Sequence, residues 1–252
     1  MYNILKSWGD VMSCKLMREQ KIYTSMCDNT AKLGIPNIFS LFMDLACEHG
    51  ADINLAAEDL IKYDLIWLTV KTKIEIIERP EMQSTVIAES WPEKPGSIRC
   101  NRYYKLSKNG KNLIMGKSEW AMLNVKTGRL AKIKEAYPDT LDHCEDTVCD
   151  SPFTTINKDF SDCEILRVYT VCSNDIDLAQ HMNNAAYLKM VFGAYSCEEL
   201  EKMGIKSVEI AFRTPCFEGD VLTLKQRILE DGAEIGIFRQ DDTLAATVKI
   251  IK

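Results

Sequence analysis

Apolar residues recur at helical spacing and then at strand spacing through the first half of the chain. Residues 37–50 have helical spacing, and Gly50 stands where such a helix would end. The apolar face of this helix would carry Phe39, Phe42, Met43 and Ala46. Four runs of alternating, strand-like sequence follow, at residues 65–78, 84–91, 98–107 and 113–125. The pattern predicts one helix followed by an antiparallel meander, with a K-N-G hairpin turn between the last two strands.

The second half of the chain repeats this order. Residues 165–172 have the pattern of a strand, and residues 184–203 have helical spacing up to Gly204, which would close a single long helix. Strands are then predicted at residues 207–213, 221–230, 234–239 and 243–251. One helix and one meander, twice over, indicate an internal duplication.

The duplicated pattern predicts the fold class. A helix of this kind buries its apolar face against a curved sheet, and two such sheets can join edge to edge. We therefore predict an α+β tandem (double) hotdog, in which two antiparallel sheets each wrap around a long central helix. The first hotdog would span residues 1–130 and the second residues 163–252. Between them, residues 131–162 hold Pro138, Pro152 and little periodicity, which is typical of a linker.

The composition argues against several classes of protein. The chain has 252 residues and a net charge of −6, and no basic stripe is interleaved with aromatic residues, so nucleic-acid binding is not expected. No apolar run approaches the roughly 20 residues of a membrane-spanning helix. The N-terminus lacks the apolar core of a signal peptide. We expect a cytoplasmic protein with neither nucleic acid nor membrane as a partner.

The cysteines are predicted to be structural. All ten are scattered without a C-x-x-C pair, and the chain has only three histidines, His49, His143 and His181. A zinc site and a disulfide framework are therefore not expected. We expect most of the cysteines to serve as small buried apolar side chains in a reducing compartment.

The segment with the most chemical potential is D-L-A-Q-H-M-N-N, residues 177–184, at the entry to the second predicted helix. Asp177 can act as a general base towards water or as a nucleophile, and His181 can bind a carbonyl oxygen or transfer a proton. Asn183 and Asn184 stand where the unpaired N–H groups of a helix start can hold an oxyanion, although Asn184 could equally be only the N-cap. These four residues are the candidate catalytic group.

The first half carries a similar pattern just before its helix. Residues 28–32 are D-N-T-A-K, and residues 177–181 are D-L-A-Q-H, so each half places an acid four residues before a cationic or titratable side chain. Only the second half supplies a histidine. If the halves are duplicates, we expect one site to have kept its chemistry and the other to have become scaffold or pocket.

Residues 175–187, D-I-D-L-A-Q-H-M-N-N-A-A-Y, resemble the signature of the bacterial and plant acyl-acyl carrier protein thioesterases. Shorter pieces of the first half fit the same resemblance in order and spacing, among them A-C-E-H-G, W-L-T-V, S-W-P and S-E-W. The resemblance implies a double hotdog that hydrolyses the thioester between a fatty acyl chain and its carrier protein, without a metal or cofactor. It also implies an acyl-chain tunnel formed mainly by the first hotdog, with Phe39, Phe42 and Met43 as candidates for its wall.

Residue by residue, the resemblance is incomplete. Asp177 and His181 match the family's catalytic acid and histidine. Ala179 stands where the family usually has an asparagine, and Pro215 stands where a further catalytic glutamate is expected. A methyl group and a pyrrolidine ring cannot orient water or hold a proton, so part of the usual polar network is absent.

Three nearby residues are possible substitutes. Asn183 could replace the missing amide if the loop differs from the family's, and Glu218 lies three residues after Pro215. Cys216 follows Pro215 directly and invites a different chemistry, in which His181 activates its thiol as a nucleophile.

The sequence leaves three functions open. The leading one is an acyl-carrier-protein thioesterase of fatty acid metabolism. The alternatives are a non-hydrolytic protein that binds acyl chains or acyl carriers, and an acyl-CoA thioesterase, for which the chain shows no glycine-rich phosphate loop. A double hotdog is compatible with a monomer or a homodimer. An acidic carrier needs a basic docking surface, for which the candidates are Arg129, Lys132, Lys134, Lys202, Lys206 and Arg213.

Overall fold

The computed structural model describes residues 13–137, 141 and 144–252, so that Pro138, His143 and the N-terminal segment 1–12 lie outside the described residues. The described residues form five α-helices: α1 (Ile35–Asp52), α2 (Ala57–Leu60), α3 (Ile133–Ala136), α4 (Asn184–Phe192) and α5 (Cys197–Met203). They also form eleven strands: β1 (Leu16–Lys21), β2 (Leu65–Ile76), β3 (Thr85–Pro92), β4 (Arg99–Lys108), β5 (Lys111–Asn124), β6 (Arg129–Leu130), β7 (Glu164–Thr170), β8 (Ser207–Phe212), β9 (Val221–Leu229), β10 (Gly232–Phe238) and β11 (Leu244–Ile251).

The strands form one antiparallel sheet in the order β1-β3-β4-β5-β2-β8-β11-β10-β9-β7, with β6 paired to β5. The two half-sheets meet where β2 pairs with β8, from Lys71 opposite Ala211 to Glu75 opposite Ser207. The predicted edge-to-edge joining of two hotdog sheets is therefore confirmed, and the two sheets are continuous. The inner face of this sheet (the face that packs on α1 and α4) forms the main hydrophobic core.

Helix α1 confirms the first predicted helix and extends it by two residues at each end. Pro36 stands in its first turn, where the missing N–H costs nothing, and Gly34 precedes it in extended conformation. The side chains buried along α1 follow the predicted helical spacing and include Ile38, Phe39, Phe42, Leu45, Ala46 and His49.

The prediction of one long helix over residues 184–203 is wrong, because the segment forms two short helices, α4 and α5. Helix α4 ends at Gly193, whose carbonyl accepts a hydrogen bond from Arg167. Ser196 then starts α5 through a capping box, in which its side chain accepts from the Glu199 N–H while the Glu199 side chain accepts from the Ser196 N–H. Gly204, at φ 54°, closes α5 as predicted.

The capping box makes the helix break testable. Ser196→Ala removes the acceptor of the Glu199 N–H, and we expect it to lower the free energy of unfolding by about 1 kcal/mol. Urea denaturation measures this loss, and Cys197→Ala, an exposed change at the next position, is the matched control. Equal stability of the two variants would contradict the role of the box.

The predicted strands agree with the structure to within two residues. The K-N-G hairpin is confirmed, with Asn109 at φ 51° and Gly110 at φ 74° between β4 and β5. Strand β1 was not predicted, because L-M-R-E-Q-K contains few of the residues that favour strands. It forms through its pairing with β3, from Leu16 opposite Ser90 to Lys21 opposite Thr85.

Residues 144–163, here called the strap, cross the outer face of the sheet and hold its two halves together. On the first half, Ser151 accepts a hydrogen bond from Lys73 Nζ at 2.6 Å. On the second half, the Thr154 N–H donates to both carboxylate oxygens of Glu209, at 2.8 and 3.0 Å. The strap therefore spans the β2–β8 junction with charge-assisted hydrogen bonds on either side.

The strap makes up most of the predicted linker 131–162, although residues 133–136 form the short helix α3. Helix α3 contributes Ile133 and Ala136 to a second hydrophobic cluster, together with Leu60 of α2. The domain limits at residues 130 and 163 stay predictions.

The expectation that the protein has no disulfide is wrong. Cys14 and Cys144 form one, with their Cα atoms 5.7 Å apart across a sequence separation of 130 residues. The two cysteines meet because the chain segments next to them both lie on Trp91. Lys15 Nζ lies 3.9 Å from the centre of the Trp91 ring, and the Trp91 indole N–H donates to the Asp146 carbonyl. Sequence spacing alone cannot reveal such a pair.

The expectation that most cysteines are buried is also wrong for the part of the chain that is described. Cys100, Cys149 and Cys216 are buried, whereas three of the free cysteines are exposed: Cys47, Cys172 and Cys197. Across the described ranges, no helix combines the length and the apolar character needed to cross a bilayer.

Candidate functional site

Asp177 and His181 lie at the two ends of a tight turn. The Asp177 N–H donates to the His181 carbonyl at 3.1 Å, and the Gln180 N–H donates to the Asp177 carbonyl at 2.9 Å. Gln180 takes a left-handed conformation, φ 63°, which reverses the chain within the turn. Residues 177–181, here called the reactive turn, thereby place the acid and the imidazole side by side.

The two side chains are close but not hydrogen-bonded. Asp177 Oδ1 accepts the Ala179 N–H at 2.8 Å and lies 3.9 Å from His181 Nδ1. Asp177 Oδ2 and His181 Nε2 have no hydrogen-bond partner among the residues that the structure describes. Both side chains are about one-third exposed, at 28% and 33%, so both reach solvent or a ligand.

The start of α4 lies directly beside the reactive turn. Asn183, and not Asn184, is its N-cap: Asn183 Oδ1 accepts the Ala185 N–H at 2.8 Å. The Asn183 N–H itself donates to the Asp175 carbonyl at 2.7 Å. Within the described residues the Asn184 N–H has no acceptor, so it is the donor that the helix start offers to a ligand.

Asp175 anchors the reactive turn, and its role was not predicted from the sequence. Its carboxylate accepts hydrogen bonds from the Tyr169 hydroxyl at 2.7 Å, the Cys172 N–H at 2.9 Å and the Cys172 thiol at 3.1 Å. Partial burial favours the neutral acid, but these hydrogen bonds outweigh it and hold the pKa of Asp175 below its usual value. The only sequence signal is the acid two residues before Asp177.

The first half contains the same turn. The Asp28 N–H donates to the Lys32 carbonyl at 3.0 Å, and the Ala31 N–H donates to the Asp28 carbonyl at 3.0 Å. Ala31 has φ 57°, and Asp28 Oδ1 accepts the Thr30 N–H at 3.0 Å. Residues 28–32 therefore reproduce the reactive turn bond for bond, which supports the internal duplication.

The two turns differ in what surrounds the acid. In the first half Arg79 donates to Asp28 Oδ2 and, at 3.1 Å, to the Thr30 hydroxyl. Burial favours protonation of Asp28, but the hydrogen bonds from Thr30 and Arg79 lower its pKa overall. Both carboxylate oxygens of Asp28 thus have hydrogen-bond partners within the first half.

The position of Arg79 corresponds to Pro215 in the second half. The Leu33 N–H donates to the Pro80 carbonyl, and the equivalent Met182 N–H donates to the Cys216 carbonyl. Pro80 and Cys216 are therefore equivalent, and so are the residues just before them, Arg79 and Pro215. Ala179 likewise replaces Thr30. With Ala179 and Pro215 in place of Thr30 and Arg79, one oxygen of the Asp177 carboxylate is left without a partner among the described residues.

Cys216 and Glu218 do not join the reactive turn in the part of the chain that is described. The Cys216 side chain is buried, and this burial, opposed by a hydrogen bond from Tyr187, raises the pKa of its thiol. Glu218 is exposed in the loop before β9. Neither forms a hydrogen bond or ion pair with Asp177 or His181.

The predicted wall residues lie on α1 in the first half. Phe39 and Phe42 are fully buried, and Phe42 stacks on Tyr104 with ring centroids 4.6 Å apart. Phe39 meets Phe212 edge-on at 6.4 Å, while Met43 is half-buried against the same core. Their role towards an acyl chain stays a prediction.

Two family models match nearly the whole chain. Residues 13–141 match the acyl-ACP thioesterase N-terminal domain, and residues 161–249 match the acyl-ACP thioesterase C-terminal domain. An acyl-[acyl-carrier-protein] hydrolase of Cuphea viscosissima is 26% identical over 243 residues, which cover 85% of this chain and 58% of the relative. An oleoyl-acyl carrier protein thioesterase of Arabidopsis thaliana is 24% identical, covering 75% of this chain and 56% of the relative. The chain thus spans about half the length of these curated relatives.

Solved structures share the fold along almost the full chain. An acyl-ACP thioesterase from Bacteroides thetaiotaomicron superposes with a TM-score of 0.81 at 18% identity, covering 94% of this chain and 97% of its own. The 12:0-ACP thioesterase from Umbellularia californica superposes with a TM-score of 0.77 at 18% identity, covering 94% and 96%. At these identities the likeness establishes the fold alone.

Proposed function

The chain belongs to the acyl-ACP thioesterase family, and from this premise we propose that it hydrolyses the thioester of a fatty acyl-acyl carrier protein. The products are a free fatty acid and the carrier thiol, and no metal or cofactor takes part. The curated relatives of Cuphea viscosissima and Arabidopsis thaliana are named for hydrolysis of this bond. An acyl carrier protein is accordingly the proposed partner.

One observation carries the proposal: the open carboxylate oxygen of Asp177. Its first-half counterpart, Asp28, has both oxygens engaged by Thr30 and Arg79. Asp177 has only the Ala179 N–H on Oδ1, and His181 at 3.9 Å, so Oδ2 is free to accept a proton from water. Of the two copies of the turn, the second is the one equipped for base chemistry.

The proposed reaction needs no group beyond those described. Asp177 Oδ2 removes a proton from water as the water oxygen attacks the thioester carbonyl. The Asn184 N–H donates to the resulting oxyanion, and so does Nε2–H of a doubly protonated His181 ring, since the Nδ1–H is directed at the Met182 carbonyl at 3.4 Å. Collapse of the tetrahedral intermediate breaks the carbon–sulfur bond, and the departing thiolate takes up the proton from Asp177.

The other sequence candidates have smaller parts in this mechanism. Asn183 cannot replace the family's amide through Oδ1, because that oxygen already caps α4. Its proposed role is to keep the Asn184 N–H pointing out of the helix start. Asp177 must then orient the water itself, since neither Ala179 nor Pro215 has a polar side chain.

The deciding experiment is a hydrolysis assay with acyl carriers over a chain-length series. Wild type and His181→Ala are compared on each carrier and on the coenzyme A thioester of the same acyl chain. Higher kcat/KM on the carrier supports the proposal, and higher kcat/KM on coenzyme A would favour the acyl-CoA alternative. Tight binding of acyl carrier without any turnover would replace hydrolysis with a binding function.

Cys216 provides a separate prediction. Because its thiol is buried and burial raises its pKa, Cys216→Ala should keep kcat within about threefold of wild type. Iodoacetamide should label the exposed Cys172 well before Cys216, as peptide mass spectrometry would show. A loss of activity as large as that of a nucleophile variant would instead establish a cysteine mechanism.

The docking of the carrier stays a proposal. Arg213 is exposed directly after β8, on the side that leads to Cys216 and the reactive turn, and it is the best placed of the basic candidates. Lys202 is less available, because its ammonium pairs with Glu198 at 2.6 Å. A cytoplasmic location also stays a proposal, and the two plant relatives are named as chloroplastic.

A further inference from the structure

The inner face of the first half carries fully buried polar side chains, whereas among the described residues the duplicated inner face of the second half is mainly apolar, with the partly buried Gln226, hydrogen-bonded to Tyr195, as an exception. In the second half the described inner positions of β8 to β11 include Val208, Ile210, Leu224, Ile235, Val248 and Ile250. The first half places Thr72, Tyr104 and Ser118 at comparable positions, and these are at most 1% exposed. The second half shows that the fold itself does not need polar groups there.

These polar side chains form a continuous row, here called the polar row: Thr69, Thr72, Tyr104, Ser118 and Trp120. Ser118 Oγ accepts the Trp120 indole N–H at 2.5 Å and shares a hydrogen bond with the Tyr104 hydroxyl at 2.7 Å. Thr72 pairs with Ser118 across β2 and β5, and Thr69 pairs with Trp120. The bulge between Thr69 and Lys71 shifts the alternation, so both threonines face the inner side.

Thr72 is the unsatisfied member of the row. Its hydroxyl is buried and has no hydrogen-bond partner among the described residues. A buried hydroxyl left unpaired is destabilising, and valine would fill the same space without that cost. Thr247 has an unpaired hydroxyl too, but only Thr72 lies in the proposed ligand pocket, where an oxygen atom on the ligand would satisfy it.

The polar row opens on the side of the reactive turn. Thr69 and Trp120 are half-buried, while Thr72 is buried, so the row runs from the surface inwards. Strand β8 runs antiparallel to β2, from Ile210 opposite Thr72 towards Cys216. Since the Cys216 carbonyl binds the Met182 N–H next to His181, the open end of the row and the reactive turn lie at the same end of the sheet.

We propose that the first-half pocket selects an acyl chain that carries an oxygen substituent, a hydroxyl or an oxo group, bound by Thr72 Oγ1 and Ser118 Oγ. This inference rests on the proposed thioesterase function, and it names the substrate class of the same site. A saturated chain would leave the Thr72 hydroxyl unpaired, whereas an oxygenated chain satisfies it and gains a hydrogen bond in a buried setting.

The test compares carrier-linked acyl chains of equal length: saturated, or with one hydroxyl or one oxo group at successive positions. We expect wild type to favour at least one oxygenated chain by about 10-fold in kcat/KM. Thr72→Val should bring that ratio close to one. The matched control is Thr247→Val, because Thr247 is also buried with an unpaired hydroxyl but pairs with Ala211 on the outer side of the second half. That variant should keep the wild-type ratio.

The outcomes are separable. Thr72→Val keeps the shape and removes an unpaired hydroxyl, so its thermal unfolding midpoint should not fall. Ser118→Ala provides a second variant that should also lower the ratio. A preference for saturated chains in wild type, or the same change of ratio in the Thr72 and Thr247 variants, overturns the inference. If no chain is hydrolysed, the thioesterase proposal fails. The dissociation constants of the same carriers with wild type then decide the inference, which requires an oxygenated chain to bind more tightly than the saturated chain.

Discussion

Asp177→Asn is expected to lower kcat by about 10³-fold while the protein remains folded. The amide keeps the shape of the carboxylate and can still accept the Ala179 N–H through its oxygen, so the reactive turn keeps its backbone bonds. It cannot take a proton from water at Oδ2. Because the change removes a group that acts only in the transition state, the fall should appear in kcat more than in KM.

The duplicated turn supplies the matched control. Asp28→Asn makes the same substitution in the same backbone geometry, and it breaks the contact with Arg79. We expect this variant to keep kcat within about threefold and to lose some stability, since Arg79 is left without its carboxylate. Hydrolysis of acyl carrier and thermal unfolding, measured on both variants, separate the two effects. If both variants lost activity equally, Asp177 would have no special role.

Acidification from pH 7 to pH 4 is expected to destabilise the protein by about 3 kcal/mol through His49 alone. His49 is 1% exposed, and its Nδ1 lies 3.0 Å from a guanidinium nitrogen of Arg102. Since arginine only donates, Nδ1 must accept, and the neutral ring donates from Nε2 to the Ser13 carbonyl at 3.0 Å. Burial, reinforced by the charge of Arg102, lowers the pKa of His49 from 6.5 to about 4.

The sign follows from proton uptake. In the unfolded chain His49 binds a proton as the pH falls through 6.5, whereas in the folded protein it stays neutral until about pH 4. The unfolded state therefore gains protons first, and stability falls across this window. Below about pH 4 both states carry the proton, and this residue adds no further loss.

Urea denaturation at a series of pH values measures the effect against His49→Gln. Glutamine can still accept from Arg102 and donate to Ser13, but it does not titrate, so the other ionisable groups cancel in the comparison. The difference between wild type and variant should change by about 3 kcal/mol between pH 7 and pH 4. Parallel curves would show that the pKa of His49 is the same in the folded and unfolded states, which would contradict the lowered value.

Much of the fold follows from local pattern. Alternation in β2 to β5 and in β8 to β11 predicts the strands to within two residues, because one face of each strand packs on the core. The second helix was predicted as one because its apolar spacing continues past Gly193. Whether a chain breaks at such a glycine depends on tertiary partners, here Arg167 on β7, which local spacing does not contain.

The candidate site was predictable where neighbours in sequence are neighbours in space. Asp177, His181 and Asn183 share one loop, so their proximity follows from the motif. The open state of Asp177 was not predictable, because it depends on Pro215, which the sheet brings into place from a distance of more than thirty residues. The Cys14–Cys144 disulfide was missed for the same reason.

The strap has an evolutionary consequence. If two identical subunits met at the β2–β8 junction, they would have the same sequence, so every substitution would appear in both copies of the turn at once. The strap, whose Ser151 and Thr154 are hydrogen-bonded to the two halves, joins them in one chain. The two halves therefore meet at a high effective concentration, and each can change its sequence independently of the other. Arg79 could then bind one acid while Pro215 left the other open, and one half could acquire the polar row while the matching positions of the other half, such as Val208 and Ile250, stayed apolar. The single chain is in effect a heterodimer whose partners are inherited together.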